Sequence, residues 1–313
     1  MNMESKTYIN QLDIETLVKL LWANKKIIIS ITFFFAMVSI IIALSIQNKY
    51  TSSSLVKIVN SDEQSSNASS LLSSYGGLAS LSGIDISSLS DEKASYVIAL
   101  IKSKKFLSEL LKKDDSLTQN IFAMKKFYPE SGKVDFYNSI YNQDEDKWVR
   151  KKSIGRSIKP SYIELHEYYL SALDIHKDKD SGFIKISFTS KSPIFAFNML
   201  EMILAETNLF IKEDELKRVE DALKYLSSKL ETVTTDETIS TINQLIEVNL
   251  KKEALANINE EYFIKKIDYP FIAESKSSPN RAVICILLTF LGFLLSLAYV
   301  LVKNYLKNED QRS

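Results

Sequence analysis

Two long apolar runs, one near each end of the chain, decide how this sequence can fold. The first is IIISITFFFAMVSIIIALSI, residues 27–46, and the second is AVICILLTFLGFLLSLAYVLV, residues 282–302. Neither run contains a charged residue. Because about 20 apolar helical residues span the roughly 30 Å hydrocarbon core of a bilayer, both runs predict transmembrane helices.

Each run has an alternative interpretation. The first could be a cleavable signal peptide, with residues 43–45 as its cleavage site, but the run is longer than the ~7–15 residues of a signal-peptide core. The second could be a buried core helix, but an uninterrupted apolar run of 21 residues is long for that role. We therefore predict two spanning helices.

Basic residues beside the two runs predict the orientation of the chain. The flanking basic residues are Lys6, Lys19, Lys25 and Lys26 before the first run, and Lys303, Lys307 and Arg312 after the second. Such residues favour the cytoplasmic side, so the tails 1–26 and 303–313 are expected there and residues 47–281 on the far side. Tails this short are not expected to fold a signalling domain.

Composition and motifs argue against an enzyme or a nucleic-acid-binding protein. The 39 basic and 39 acidic residues balance, so no broad basic surface for nucleic acid is expected. His166 and His176 are the only histidines and are read as exposed polar residues, while Cys285, the only cysteine, lies inside the second run. No phosphate-binding glycine motif occurs. We predict no catalytic residue, no cofactor and no metal.

Four acidic residues are expected to form a solvated helix face: Glu201, Glu206, Glu213 and Asp214.

The segment between the runs begins and ends with predicted strands, residues 50–60 and 262–268, which are expected to pair. Alternation places Ser54, Val56 and Ile58 on one face of the first strand. Residues 173–188 predict a β-hairpin. Ser90 is expected to cap a helix over about 91–112, and residues 114–160 are left unassigned.

A long helix dominates the second half of this segment. Ser192 followed by Pro193 is a helix start signal, and neither Gly nor Pro occurs again before Pro270. A helix over 193–230 would be about 57 Å long. Its apolar stripe repeats at heptad spacing: Leu209, Leu216, Val219, Leu223, Leu226 and Leu230.

A second helix over about 235–260 is predicted to follow, started by a capping box of Thr234 and Glu237. Its Ile239, Ile242 and Ile246 are expected to fold back on the first helix. Either the stripe packs within one compact domain, or the two helices protrude as a hairpin or form a seam between subunits. The predicted fold is an α/β domain with a long protruding α-helical hairpin, anchored by two transmembrane helices.

A motif surrounds the start of the second run. Pro270, Ser278, Pro279 and Gly292 match the pattern P-x2-P-x4-S-P-K-x11-G-x3-G in type and spacing. The pattern's second Pro, its Lys and its final Gly are replaced by Ala273, Asn280 and Ser296. In this motif the chain resembles the polysaccharide co-polymerase family of Wzz-type chain-length determinants. Three further segments resemble that family: residues 13–26, 76–81 and 183–197.

The resemblance implies a two-pass protein of the bacterial inner membrane, with residues 47–281 as a periplasmic chain-length determinant domain. Such proteins set the modal length of O-antigen or a related polymer carried on undecaprenyl diphosphate. They act with a separate integral-membrane polymerase and assemble as homo-oligomeric rings. A kinase-less adaptor in capsule export and a two-span periplasmic sensor are the alternatives.

Elementary chemistry gives the motif residues structural roles as well. Pro270 and Pro279 would end a strand and open the membrane helix, because proline fixes φ and lacks an N–H donor. Gly292 and Ser296 would form a face of small residues that lets a neighbouring helix approach closely. We expect this face to pair the two spans or to contact a partner protein in the membrane, while the spans as a whole contact membrane lipid.

Overall fold

The computed structural model describes residues 14–59, 86–151 and 155–310. The chain divides into two compact units: a terminal unit, residues 1–48 and 277–313, and a central unit, residues 49–276. The described helices, in chain order, are α1 Ile14–Ala23, α2 Lys25–Ser45, α3 Ile86–Ile101, α4 Lys104–Lys113, α5 Ser116–Phe122, α6 Tyr162–Ala172, α7 Pro193–Leu230, α8 Asp236–Ile258 and α9 Arg281–Asp310. The described strands are β1 Tyr50–Ile58, β2 Met124–Tyr128, β3 Lys133–Phe136, β4 Tyr141–Asn142, β5 Lys147–Trp148, β6 Leu173–Lys177, β7 Ile184–Ser190 and β8 Ile264–Asp268.

The main sheet of the central unit has the strand order β6-β7-β1-β8, and every neighbouring pair is antiparallel. Two predictions are confirmed here, the hairpin of β6 and β7 and the pairing of β1 with β8. The alternation predicted for β1 is also confirmed, since Ser54, Val56 and Ile58 are all buried. Ser54 can be buried because its Oγ donates a hydrogen bond to the carbonyl oxygen of Asp268 over 2.6 Å.

One face of this sheet packs against the first half of α7. The helix begins where the sequence predicts, because the Ser192 Oγ accepts a hydrogen bond from the Phe195 N–H (3.2 Å) and Pro193 occupies the first turn. Its predicted bounds, 193–230, are confirmed. The core side chains shared by sheet and helices include Val56, Ile184, Ile186, Phe188, Met199, Leu200 and Ile203.

Two predicted helix boundaries are wrong. The helix expected over 91–112 is instead two helices, α3 and α4, and Ser90 lies inside α3. The helix is interrupted between Ile101 and Lys104 because Ser103 caps α4, and its Oγ accepts a hydrogen bond from the Phe106 N–H over 3.1 Å. The N-cap of α8 is Thr235, one residue later than predicted, so the predicted pairing of Thr234 with Glu237 across the helix start is also wrong.

The unassigned segment 114–160 contains α5 and two short hairpins, β2–β3 and β4–β5. Aromatic side chains pack together at the second hairpin, where the rings of Tyr141 and Trp148 lie 5.2 Å apart. Residues 76–81, which carry part of the family resemblance, lie outside the described residues, as do Asp13 and Arg312.

Candidate functional site

Among the described residues, three helices are long and apolar enough to cross a membrane: Lys25–Ser45, Pro193–Leu230 and Arg281–Asn304. The sequence predicts only the first and the last of these. In the middle one, α7, Met199, Leu200 and Ile203 are fully buried in the core of the central unit. By contrast, α2 and α9 leave large apolar side chains exposed, for example Phe33 (64%) and Ile286 (67%).

The helices α2 and α9 contact each other in the terminal unit, and Gly292 of α9 lies against Phe35 of α2. A Cβ built on Gly292 would lie within 3.0 Å of three atoms of the Phe35 side chain. Ser296 is fully buried one turn later, with its Oγ donating to the Phe293 carbonyl over 2.6 Å. On α2, Ser39 and Ala43 are likewise buried. Small residues on both helices therefore allow the two backbones to approach closely.

The remaining motif residues lie before α9. Asn280 directly precedes the helix, where its Oδ1 accepts from the Val283 N–H (3.4 Å) and its carbonyl accepts from the Ile284 N–H (3.2 Å). Ser278 and Pro279 are half-buried and joined by a cis peptide bond. Pro270 is buried in the central unit, two residues after β8 ends, whereas the other five motif residues belong to the terminal unit.

The leucine stripe of α7 divides into two parts. Val219 is buried (3% exposed). Leu216, Leu223, Leu226 and Leu230 are half-buried, whereas Leu209 is exposed. The predicted fold-back is confirmed, since α8 contacts α7 and Ile242 is buried with Ile239 and Ile246 half-buried. The hairpin also exposes apolar side chains that the stripe does not include: Tyr225, Leu245, Val248, Leu250 and Ile258.

The sequence does not predict a cleft of about 520 Å³ where α3, α7, α8 and the start of β8 meet. Its walls carry both charges, including Glu215 and Lys252, whose Oε1 and Nζ atoms lie 3.6 Å apart. Burial, with a smaller contribution from Glu215, raises the pKa of Tyr262 above its usual value. These residues are far apart in sequence, so no local pattern could have identified the cleft.

Four acidic residues were predicted to form a solvated helix face, and that prediction is wrong for Glu201 and Glu206. Both are half-buried and form ion pairs. The Oε1 of Glu206 lies 2.5 Å from the Nζ of Lys113, and the Oε2 of Glu201 lies 3.3 Å from the Nζ of Lys266. Both pairs join α7 to another element because one side of the helix lies against its neighbours. Glu213 and Asp214 are exposed, as predicted.

Of the two histidines, His176 is exposed, as predicted, whereas His166 is half-buried, so that prediction is wrong for His166. His166 lies in α6, with its Nε2 2.7 Å from the Lys102 carbonyl oxygen, and His176 lies in β6. Cys285 is a half-buried free thiol in α9. Within residues 14–59, 86–151 and 155–310, no three His, Cys, Asp or Glu side chains are grouped as metal ligands.

A family model matches the first third of the chain. Residues 10–113 match Wzz, the chain length determinant protein family, so the resemblance identified in the sequence is confirmed. The matched region covers α1, α2, β1, α3 and α4.

Two solved structures are also similar to this chain. One is a full-length bacterial polysaccharide co-polymerase, with 14% identity, a TM-score of 0.40, and coverage of 95% of this chain and 99% of that one. The other is a fragment of WzzB, a polysaccharide co-polymerase from Salmonella Typhimurium, with 14% identity, a TM-score of 0.28, and coverage of 74% and 100%. No individual curated protein matches the sequence.

Proposed function

We propose that this protein regulates the modal chain length of a bacterial cell-surface polysaccharide, O-antigen or a related polymer, without catalysing bond formation itself. The observation that carries the proposal is the match of residues 10–113 to the chain length determinant family. In this role it acts with an integral-membrane polymerase on glycan linked to undecaprenyl diphosphate.

The proposed anchoring is by two spans in the inner membrane, residues 27–46 and 282–302, with both tails cytoplasmic and residues 47–281 periplasmic. The exposed apolar surfaces of α2 and α9 support this arrangement, because such surface is stable in lipid but unfavourable in water. The third candidate, α7, is assigned to the periplasmic domain because its apolar side chains already form that domain's core. In this arrangement Gly292 and Ser296 hold the two spans together.

We further propose that the protein works as a homo-oligomer. The exposed apolar side chains of the α7–α8 hairpin support this, since Leu209, Leu245 and Val248 are each more than a third exposed. A second copy packed along the hairpin would remove this surface from water.

Gene deletion tests the proposal. Deletion should leave polymer on the cell but change its gel banding from a preferred length to a random, mostly short distribution. Re-expression of the intact chain should restore the bands, and Gly292→Leu should restore them only in part while still inserting in the membrane. Loss of all polymer on deletion would instead indicate a role in synthesis or export, as for an export adaptor. Unchanged bands would refute a role in chain length.

A further inference from the structure

The short helix α1 is joined to α2 through a single residue, Asn24. Its backbone (φ −99°, ψ 15°) departs from the α-helical range, and its Nδ2 donates to the Leu20 carbonyl over 2.9 Å. The regular helix is therefore distorted locally at Asn24, where α1 ends and α2 begins, and the Asn24 N–H still donates to the Leu20 carbonyl over 3.2 Å.

One face of α1 carries apolar side chains without cover. Val18 and Trp22 share that face through their four-residue spacing, and they are 51% and 69% exposed. Lys25 lies beside this face, with its Nζ 4.8 Å from the centre of the Trp22 ring. Because exposing an indole and a neighbouring valine to water is unfavourable, burial of this face against an apolar partner would stabilise it.

The length of α2 indicates which partner is within reach. Its 21 residues extend about 32 Å, which is the thickness of one hydrocarbon core. Lys25 and Lys26, its first two residues, therefore mark the boundary between acyl chains and headgroups. Adding the 10 residues of α1 would give roughly 47 Å, half as long again as the core, so α1 lies outside the acyl chains on the side of Lys25 and Lys26.

We propose that α1 lies in the headgroup boundary of the membrane, with Val18 and Trp22 inserted among the lipids. Tryptophan favours this zone because its ring is apolar while its N–H needs a polar partner. Lys19, Lys25 and Lys26 place positive charge where anionic headgroups are found. The inference rests on the two-span anchoring proposed above.

Three full-length chains, each with a single tryptophan, test the inference in lipid vesicles labelled with quenchers at shallow or deep positions of the acyl chain. Trp148→Phe leaves Trp22 as the only reporter. Trp22→Phe leaves Trp148, which belongs to the central unit. The third chain combines both changes with Phe34→Trp, at an exposed site (63%) in the middle of α2.

Trp22 should be quenched at least threefold more strongly by the shallow label than by the deep one. The Phe34→Trp chain should show the reverse preference, and Trp148 should respond to neither label. If Trp22 ignores both labels while the Phe34→Trp chain is quenched, anchoring stands and the inference fails. Iodide sensitivity of Trp22 would then indicate water, and blue-shifted emission without lipid quenching would indicate a protein partner. If the Phe34→Trp chain is also unquenched, the anchoring itself is refuted.

Discussion

Asn208 joins the middle of α7 to the start of β8, and its replacement should strongly destabilise the central unit. Its side chain makes three hydrogen bonds with the backbone of Ile264, the first residue of that strand, and of Phe263, which precedes it. The Nδ2 donates to the Ile264 carbonyl over 2.8 Å, and the Oδ1 accepts from the N–H groups of Phe263 and Ile264, each over 2.9 Å. The residue is only 8% exposed, so water cannot easily replace these bonds.

Asn208→Leu keeps a similar volume and removes all three hydrogen bonds. Each lost bond leaves a buried backbone group without that partner, at about 1–3 kcal/mol. At the lower end of that range, about 1 kcal/mol for each of the three bonds, the free energy of unfolding should fall by about 3 kcal/mol. For a unit of this size the unfolding temperature should then fall by roughly 6–12 °C.

The neighbouring Thr207 provides a matched control. It is fully buried, but its Oγ1 donates to the Ile203 carbonyl within the same helix (2.7 Å). Thr207→Val should therefore lower the free energy of unfolding by about 1 kcal/mol or less. Both changes are made in a Trp22→Phe chain, so that fluorescence of Trp148 reports the central unit alone during thermal unfolding. Equal losses from the two changes, or a loss below about 1 kcal/mol for Asn208→Leu, would refute this account of Asn208.

Three further predictions concern individual contacts. Arg150 donates to Glu164 through two hydrogen bonds of 2.5 and 2.8 Å, and these bonds lower the pKa of the Glu164 carboxyl. The stability that the pair contributes should therefore be complete above the carboxyl's usual pKa of 4.5 and should be lost as the pH falls through the lowered pKa. Glu164→Gln should abolish that part of the acid dependence in pH-dependent unfolding, and an unchanged profile would contradict the assignment. Ser192→Ala should lower the free energy of unfolding by about 1 kcal/mol, because it removes the side-chain oxygen that caps α7. Ser192→Thr, which keeps a hydroxyl at this position, is the control and should retain most of the stability. Gly292→Ala should lower thermal stability in detergent, because the added methyl group meets Phe35 and weakens the contact between α2 and α9. Adding Phe35→Ala to the Gly292→Ala chain should restore part of that stability. If the second change restores none of it, the loss does not arise from this contact.

Local signals in the sequence predicted the elements that depend on local chemistry. The start of α7 followed from Ser192 and Pro193, whose capping and fixed φ act within one turn. The inward face of β1 followed from alternation alone. The break between α3 and α4 was missed because apolar residues continue through Ile101 and Phe106, so the periodicity showed no interruption. Only the capping geometry of Ser103 reveals it.

Contacts between residues far apart in the chain could not be predicted from local sequence patterns. Asn208 lies within an otherwise regular helical pattern, and its partners are more than 50 residues away along the chain. The helix α7 was predicted, but that it is apolar enough to span a membrane was not, because its apolar first half was interpreted as part of a long helical arm. The Gly292–Ser296 face was identified from spacing, but its contact with Phe35 required the structure.

The pairing of β1 with β8 bears on how strongly the contact at Gly292 can affect the whole protein. Because the strands are antiparallel, β1 begins at the end of the sheet where β8 finishes, so both connections to the terminal unit leave from that end. There the Ser52 Oγ, near the start of β1, donates to the carbonyl of Phe271, which follows β8, over 2.8 Å. The pairing of β1 with β8 thus already offsets the entropy cost of closing the long intervening segment, and the contact between α2 and α9 adds little further closure cost. Weakening that contact through Gly292→Ala should therefore leave the Trp148-reported unfolding of the central unit unchanged. A joint loss of both units would show that the sheet alone does not hold the two ends of the segment together.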